Sequence, residues 1–178
     1  DGLAAGTRVT MPRYRGRDYY HSAHARNVSV RYSSGEYVVI GSTDISLTHP
    51  VFSTLRQTIE ETGSPWLRPD TTEFVGVIAM RREVFLDAGG YDERIEFYGS
   101  EDKDLQARLF RRGIPWTTYP ATGLLRMMRT SNREKVKNYR LALTKTEMLV
   151  HGSRVLKENM KAGRLVANED TPWGYLKA

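Results

Sequence analysis

The chain has 178 residues, with 27 Lys and Arg against 21 Asp and Glu, four His and no Cys. That length suits one domain with a real core, and 39% apolar with 27% charged residues argues against intrinsic disorder. The lack of Cys excludes a disulfide scaffold and any Cys-ligated metal centre. It points to a reducing compartment, the cytoplasm, and membrane association would reside in parts outside this stretch.

Taken in chain order, residues 1 to 7 read as a frayed end. Residues 18 to 32 can be helical, with Tyr20, His24 and Val28 on one face. Gly35 ends that helix, and residues 36 to 40 read as a buried strand. Residues 41 to 48 read as a polar turn. Pro50 suits a first helical turn, and Val51, Leu55 and Ile59 repeat at helical spacing up to Gly63. Two prolines make residues 64 to 72 a predicted loop. The run Phe74 to Met80 is the best strand, apolar enough to be covered on both faces. A short helix over 81 to 88 stops at Gly89-Gly90. Ser100 is placed to cap a helix over 101 to 112, with Gly113 as its stop. Weaker strands fall at 116 to 119 and 123 to 127, and a long helix is predicted from Arg133 to about Val150. Alternating strands and helices predict an α/β architecture.

The formal net charge is +6. Six Arg and one acid lie between Arg8 and Arg31, and a second basic stretch runs from Arg126 to Arg140. Such a balance suits nucleic acid, an anionic membrane surface or a phosphate-bearing ligand; each stretch also reads as a solvated surface.

Three places can carry chemistry. Asp44 follows the strand ending at Ile40, among Ser42, Thr43 and Ser46. Ligands bind at the carboxyl ends of strands in open α/β sheets, and a carboxylate among hydroxyls there can hold Mg²⁺ or Mn²⁺. Asp is equally a common turn residue. In Ser100-Glu101-Asp102-Lys103-Asp104, helical spacing sets Asp102 on one face with Leu105 and Leu109, so Asp102 should point inward as a candidate general base. Acids in a first turn also simply complement the helix dipole, and Glu101 and Asp104 can do only that. Arg26 and Asn27 can read a nucleotide base or diphosphate, or serve packing. His21 and His24 lack a third metal ligand and read as packing residues. Asn27-Val28-Ser29 matches a glycosylation acceptor, with no signal-peptide pattern to make the match meaningful.

Together these segments resemble the family 2 glycosyltransferases of the GT-A fold. The resemblance rests on Ala25-Arg26-Asn27, Gly35-Glu36-Tyr37, the Asp after the strand, Phe74 to Phe85, Gly89-Gly90-Tyr91-Asp92-Glu93, and Tyr98 to Leu109 with Gly113. It covers roughly residues 20 to 120. The later block is also similar to the galactosyltransferase-like part of chondroitin-type synthases and polypeptide N-acetylgalactosaminyltransferases. The resemblance implies a Rossmann-like mixed sheet flanked by helices, as one domain over 1 to 178 with a helical extension from 130. It implies a nucleotide-sugar donor, usually a UDP-sugar, a glycan or other hydroxyl acceptor, and Mn²⁺ or Mg²⁺ on the diphosphate.

The family's metal motif is Asp-x-Asp; here it reads Ser42-Thr43-Asp44, so Asp44 alone carries over as metal ligand. Asp102 takes the place of the inverting base. Glu101 would bind the acceptor or steady the helix, and Asp92 and Glu93 would shape the acceptor side. Gly90 would let backbone pass close to the sugar, and Arg26 and Asn27 would lie near the nucleotide. Some relatives supply a late His; this sequence has Arg126 and Arg129, which can bind the leaving diphosphate or form a surface pair. The family's first βα units have no counterpart before Tyr20, so a further segment or chain would complete the fold. Two alternatives stand beside this reading. One is a catalytically silent GT-A-like binding or assembly subunit. The other is a basic nucleic-acid-binding module, although no recognition motif interleaves aromatics with the basic residues, so no nucleic-acid partner is expected.

Overall fold

The structure is a computed structural model that describes residues 18–48, 50–128 and 130–176. Its elements run α1 (Ser22–Arg31), β1 (Tyr37–Ile40), β2 (Ile45–Leu47), α2 (Val51–Thr62), β3 (Trp66–Pro69), β4 (Ile78–Arg81), α3 (Arg82–Asp87), α4 (Glu101–Arg111), β5 (Thr117–Tyr119), β6 (Leu125–Met127), α5 (Asn132–Val136) and α6 (Lys145–Lys161). Strands β1-β4-β3-β5 form a mixed sheet, antiparallel at β1–β4 and β4–β3 and parallel at β3–β5; β2 and β6 form a separate antiparallel pair. The architecture is α/β, with helices on both faces of a mixed sheet.

Strand alternation divides the interior in two. Val38, Ile40, Trp66, Ile78 and Met80 face α1, α3 and α4, where Ala23, Phe85, Leu105 and Leu109 meet them. Leu67, Ala79 and Tyr119 face α2 and β6, against Val51, Leu55 and Leu125. A third, smaller cluster of Phe97, Tyr139 and Met148 joins the loop before α4 to α6.

Four expectations are revised. Residues 64 to 72 contain β3 despite their prolines. Its antiparallel pairing to β4 needs only Trp66 and Leu67, so Pro69 sits where no donor to β4 is required. The turn after β1 contains β2, held by β6 rather than by a pattern of its own. The strand expected from Phe74 starts at Ile78; Phe74 to Val77 is a turn closed by Val77 N–H donating to the Phe74 carbonyl at 2.8 Å. The long helix expected from Arg133 is two helices, α5 and α6, each opened by a capping box: Ser131 with Glu134, and Thr144 with Glu147.

Candidate active site

A cavity of about 550 Å³ opens at the carboxyl end of β1. Its walls come from α1, the β1–β2 turn, the start of α4 and the stretch from Met128 through α5 to Tyr139.

The β1–β2 turn places Asp44. Its main chain is pinned on both sides: Ile45 N–H donates to the Ser42 carbonyl (3.1 Å), and Met128 N–H to the Asp44 carbonyl (2.7 Å). Its carboxylate accepts from the Ser42 hydroxyl through Oδ1 and from Lys135 Nζ through Oδ2 at 2.7 Å. Burial pushes this carboxyl up, but the Lys135 and Ser42 hydrogen bonds outweigh it and hold it below the usual range. Lys135 is raised in turn, chiefly by the same hydrogen bond.

The entry to α4 places the next two acids. Gly99 (φ 93) and Ser100 (φ 75) both take the left-handed conformation, turning the chain sharply into the helix. Ser100 does not cap α4; its hydroxyl meets that of Ser153 at 3.3 Å. Gly152 in α6 lets that helix lie against the Gly99 carbonyl, where any Cβ would clash. Glu101 is buried and lines the cavity. Its Oε1 accepts from Ser22 Oγ and Arg26 Nη1, both at 3.2 Å, while Oε2 is buried with no hydrogen-bond partner among the described residues. Burial and the charge of Asp102 push the Glu101 carboxyl up, against Arg26. Asp102 stands beside the cavity rather than on its wall. Its Oδ1 accepts from Arg26 Nη1 and from the Tyr91 hydroxyl, each at 3.1 Å. Its Oδ2 faces Gly76, where a Cβ would come within 2.8 Å. Arg26 bridges both acids and stacks over the Tyr91 ring at 5.3 Å. Burial opposes its charge, but Asp102, Tyr91 and Glu101 raise its pKa further still.

Arg26, Asp44 and Glu101 therefore meet at one cavity, with Asp102 one hydrogen bond behind. Four other candidates lie elsewhere. Asn27 is fully buried: it donates to the Tyr91 carbonyl (2.9 Å) and Glu93 Oε1 (3.0 Å) and accepts from Tyr91 N–H (2.8 Å). Both ends of its amide are used, so it neither reaches the cavity nor offers a glycosylation acceptor. Gly90 (φ 64) has Asn27 and the Trp173 ring where a Cβ would go, so its lack of a side chain is needed for that packing. Asp92 is fully buried, ion-paired with Arg94 at 2.6 Å, and does not line the cavity. Arg126 is exposed on β6, off the cavity wall, and Arg129 lies outside the described residues.

The histidines hold packing contacts. His21 Nε2 lies 3.0 Å from the Glu93 carbonyl, which can only accept, so that nitrogen carries the proton; its Nδ1 accepts from His24 N–H and caps α1. His24 Nδ1 meets the Glu93 carboxylate at 3.0 Å. Sequence reasoning missed Lys135 and the cavity aromatics Tyr98 and Tyr139; Glu93, expected on the acceptor side, instead holds His24, Asn27 and the Gly174 N–H. Only the Lys135 helix had a local signal, the capping box before it.

The donor set does not fit a divalent cation. Both Asp44 oxygens are engaged, one by an ammonium group, and no group of three or more His, Asp or Glu that could hold a metal converges among the described residues. The expected Mn²⁺ or Mg²⁺ site at Asp44 is thus not formed by these side chains.

Residues 63–131 match the family model described as the N-terminal domain of galactosyltransferase. The matched stretch runs from the end of α2 to the residues after β6 and contains Glu101 and Asp102; Arg26, Asp44 and Lys135 lie outside it. No curated protein matches the chain in sequence. Among solved structures, a mutant of Drosophila beta-1,4-galactosyltransferase 7 in complex with manganese, UDP-Gal and xylobiose is similar at TM-score 0.48 and 16% identity, over 76% of this chain and 62% of that one. The catalytic domain of the same enzyme with xylobiose gives 0.49 and 15%, over 81% and 63%. A mannosyltransferase from Pyrobaculum calidifontis in complex with GDP-Man and Mn²⁺ gives 0.45 and 19%, over 60% and 34%. The chain spans less than two thirds of the length of each. Among the described residues, no helix is long and apolar enough to cross a membrane.

Proposed function

We propose that this chain forms the catalytic part of an inverting glycosyltransferase that moves a sugar from a nucleotide-sugar, a UDP-sugar, to a hydroxyl acceptor. One observation carries the reading: Arg26, Asp44 and Glu101, three sequence-distant residues, line a single cavity of about 550 Å³ with Asp102 directly behind. The stretch that matches the galactosyltransferase model supports it by containing the Glu101-Asp102 pair.

The chemistry is a single displacement. The acceptor oxygen bonds to the anomeric carbon as the bond from that carbon to the diphosphate oxygen breaks; the bonding pair leaves with the nucleoside diphosphate. The acceptor proton passes to Asp102 Oδ2. Arg26 and Tyr91 hold Oδ1, which fixes the carboxylate, and the lack of a side chain at Gly76 makes room for Oδ2. In a single displacement the acceptor attacks from the face opposite the leaving group, so the anomeric configuration inverts. No step is routed through a metal.

The test is a transfer assay with a panel of UDP-sugars and hydroxyl acceptors. Asp102→Asn should lower kcat by about 10²- to 10⁴-fold with the donor KM changed little. A second reading, a silent relative that binds without transfer, draws on Ser42 in place of an Asp and on the ammonium at Asp44. Nucleotide-sugar binding with no turnover by the wild type would establish it.

A further inference from the structure

The ammonium of Lys135 stands where a cation on Asp44 would stand. It lies 2.7 Å from Oδ2, it lines the cavity, and its side chain is only 18% exposed. The other oxygen is taken by Ser42, the residue at the position that would have to be a second carboxylate for a metal cage. A divalent ion would have to displace a charge-assisted hydrogen bond and then find its remaining ligands from water and substrate. Lys135 also lies in a cationic stretch of the sequence, residues 126 to 140, with six Lys and Arg against Glu134 alone, and it is the one of those six that lines the cavity among the described residues. Glu134 is engaged in capping α5 through Ser131.

We propose that Lys135 takes the place of the divalent cation, so that this cavity binds a nucleoside diphosphate without metal. The inference rests on the glycosyltransferase reading of the same site. Asp44 then acts as a positioning residue: it holds the ammonium at the cavity wall, and the ammonium donates to diphosphate oxygens and meets the negative charge that grows on the leaving group. An ammonium has three donors, so one hydrogen bond to Asp44 leaves two for phosphate oxygens. Arg26, the other cation on the wall, already spends Nη1 on Glu101 and Asp102.

Calorimetric titration of the 178-residue chain with UDP, in EDTA and separately in Mn²⁺, tests this. The expected result is binding in EDTA that Mn²⁺ strengthens by no more than a few-fold. Lys135→Met should weaken binding in EDTA by about tenfold or more, the size of a lost hydrogen bond to a charged group. Lys135→Arg should restore most of it, and thermal melts should show both variants folded. Binding seen only with Mn²⁺, or binding in EDTA that is indifferent to Lys135→Met, overturns the metal-free proposal and leaves the glycosyltransferase reading standing. No UDP binding in either condition from folded protein overturns both.

Discussion

Two groups of buried charge lie on either side of Tyr91 and are built from the same residue types. The first is closed. Asp104 accepts from Arg108 Nε (2.9 Å) and Asn159 Nδ2 (2.7 Å), Arg108 also donates to the Ala88 and Gly90 carbonyls, and Asp92 is held by Arg94 and Asn159. The second, Arg26 with Glu101 and Asp102, is open: Glu101 Oε2 is buried without a partner among the described residues, and Asp102 Oδ2 looks toward Gly76. Position in a motif does not separate the two groups, since Glu101, Asp102 and Asp104 share one helical turn. What separates them is whether hydrogen bonding is complete. Charges with full partner sets hold backbone; charges with a free valence facing space can meet a ligand.

The largest expected effect on stability lies in the closed group. Arg108→Met strands the buried Asp104 and should cost about 3–5 kcal/mol in urea unfolding. A cost under about 1 kcal/mol would mean that the group is not closed in solution. Next, Asn27→Ala unpairs the Tyr91 N–H and should cost about 1–3 kcal/mol. Nucleotide affinity should hold, because Asn27 is scaffold; the reverse pattern would move it to the open group.

The two groups should also differ in the sign of their pH response. Burial pushes the Asp92 carboxyl up, but its bonds from Arg94 and Asn159 more than reverse this, so its folded pKa is depressed. Its stabilisation is present above the unfolded carboxylate value of about 4 and is lost as pH falls through the folded value. Glu101 is raised by burial and by Asp102, so its ionisation costs stability as pH rises above that same range. Urea midpoints between pH 3 and 7 should therefore show Asp92→Asn falling further behind the wild type as pH rises, and Glu101→Gln gaining on it. The smallest effect belongs to Arg126→Ala. With an exposed side chain off the cavity, it should change stability by less than about 0.5 kcal/mol and leave UDP affinity unchanged in the same titration.

Much of the first-order structure was legible in the sequence. Helices α1, α2 and α4, strands β1 and β5, and the Gly89-Gly90 stop follow from periodicity and glycine. Asp44, Arg26 and Glu101, named from the sequence, line one cavity, and each sits beside a local signal: a strand end, a helix face, a helix start. The failures share a cause. Strands β2 and β3 exist because β6, β4 and β5 pair with them, and no local pattern reports that. Asp104 was set down as a helix-dipole acid, yet it is fully buried, since its partner Asn159 is 55 residues away. Lys135 meets Asp44 across 91 residues. The break between α5 and α6 was readable: Ser131-Asn132-Arg133-Glu134 and Thr144-Lys145-Thr146-Glu147 both carry the capping pattern, and helical spacing of apolar residues across the gap concealed it.

The β2–β6 pair has a consequence for how a ligand enters. This wall of the cavity hangs on two strands of three residues each, with Leu47 two-fifths exposed at one end. A two-stranded ribbon of that length is marginal on its own, whereas β4 is paired along both edges. Amide protons of β2 and β6 should exchange with deuterium orders of magnitude faster than those of Ala79 and Met80. A bound diphosphate bridging the β1–β2 turn to α5 would then slow exchange in the ribbon and leave the central strand unchanged. On the proposed reading, ligand binding would thus stabilise the ribbon more than the sheet.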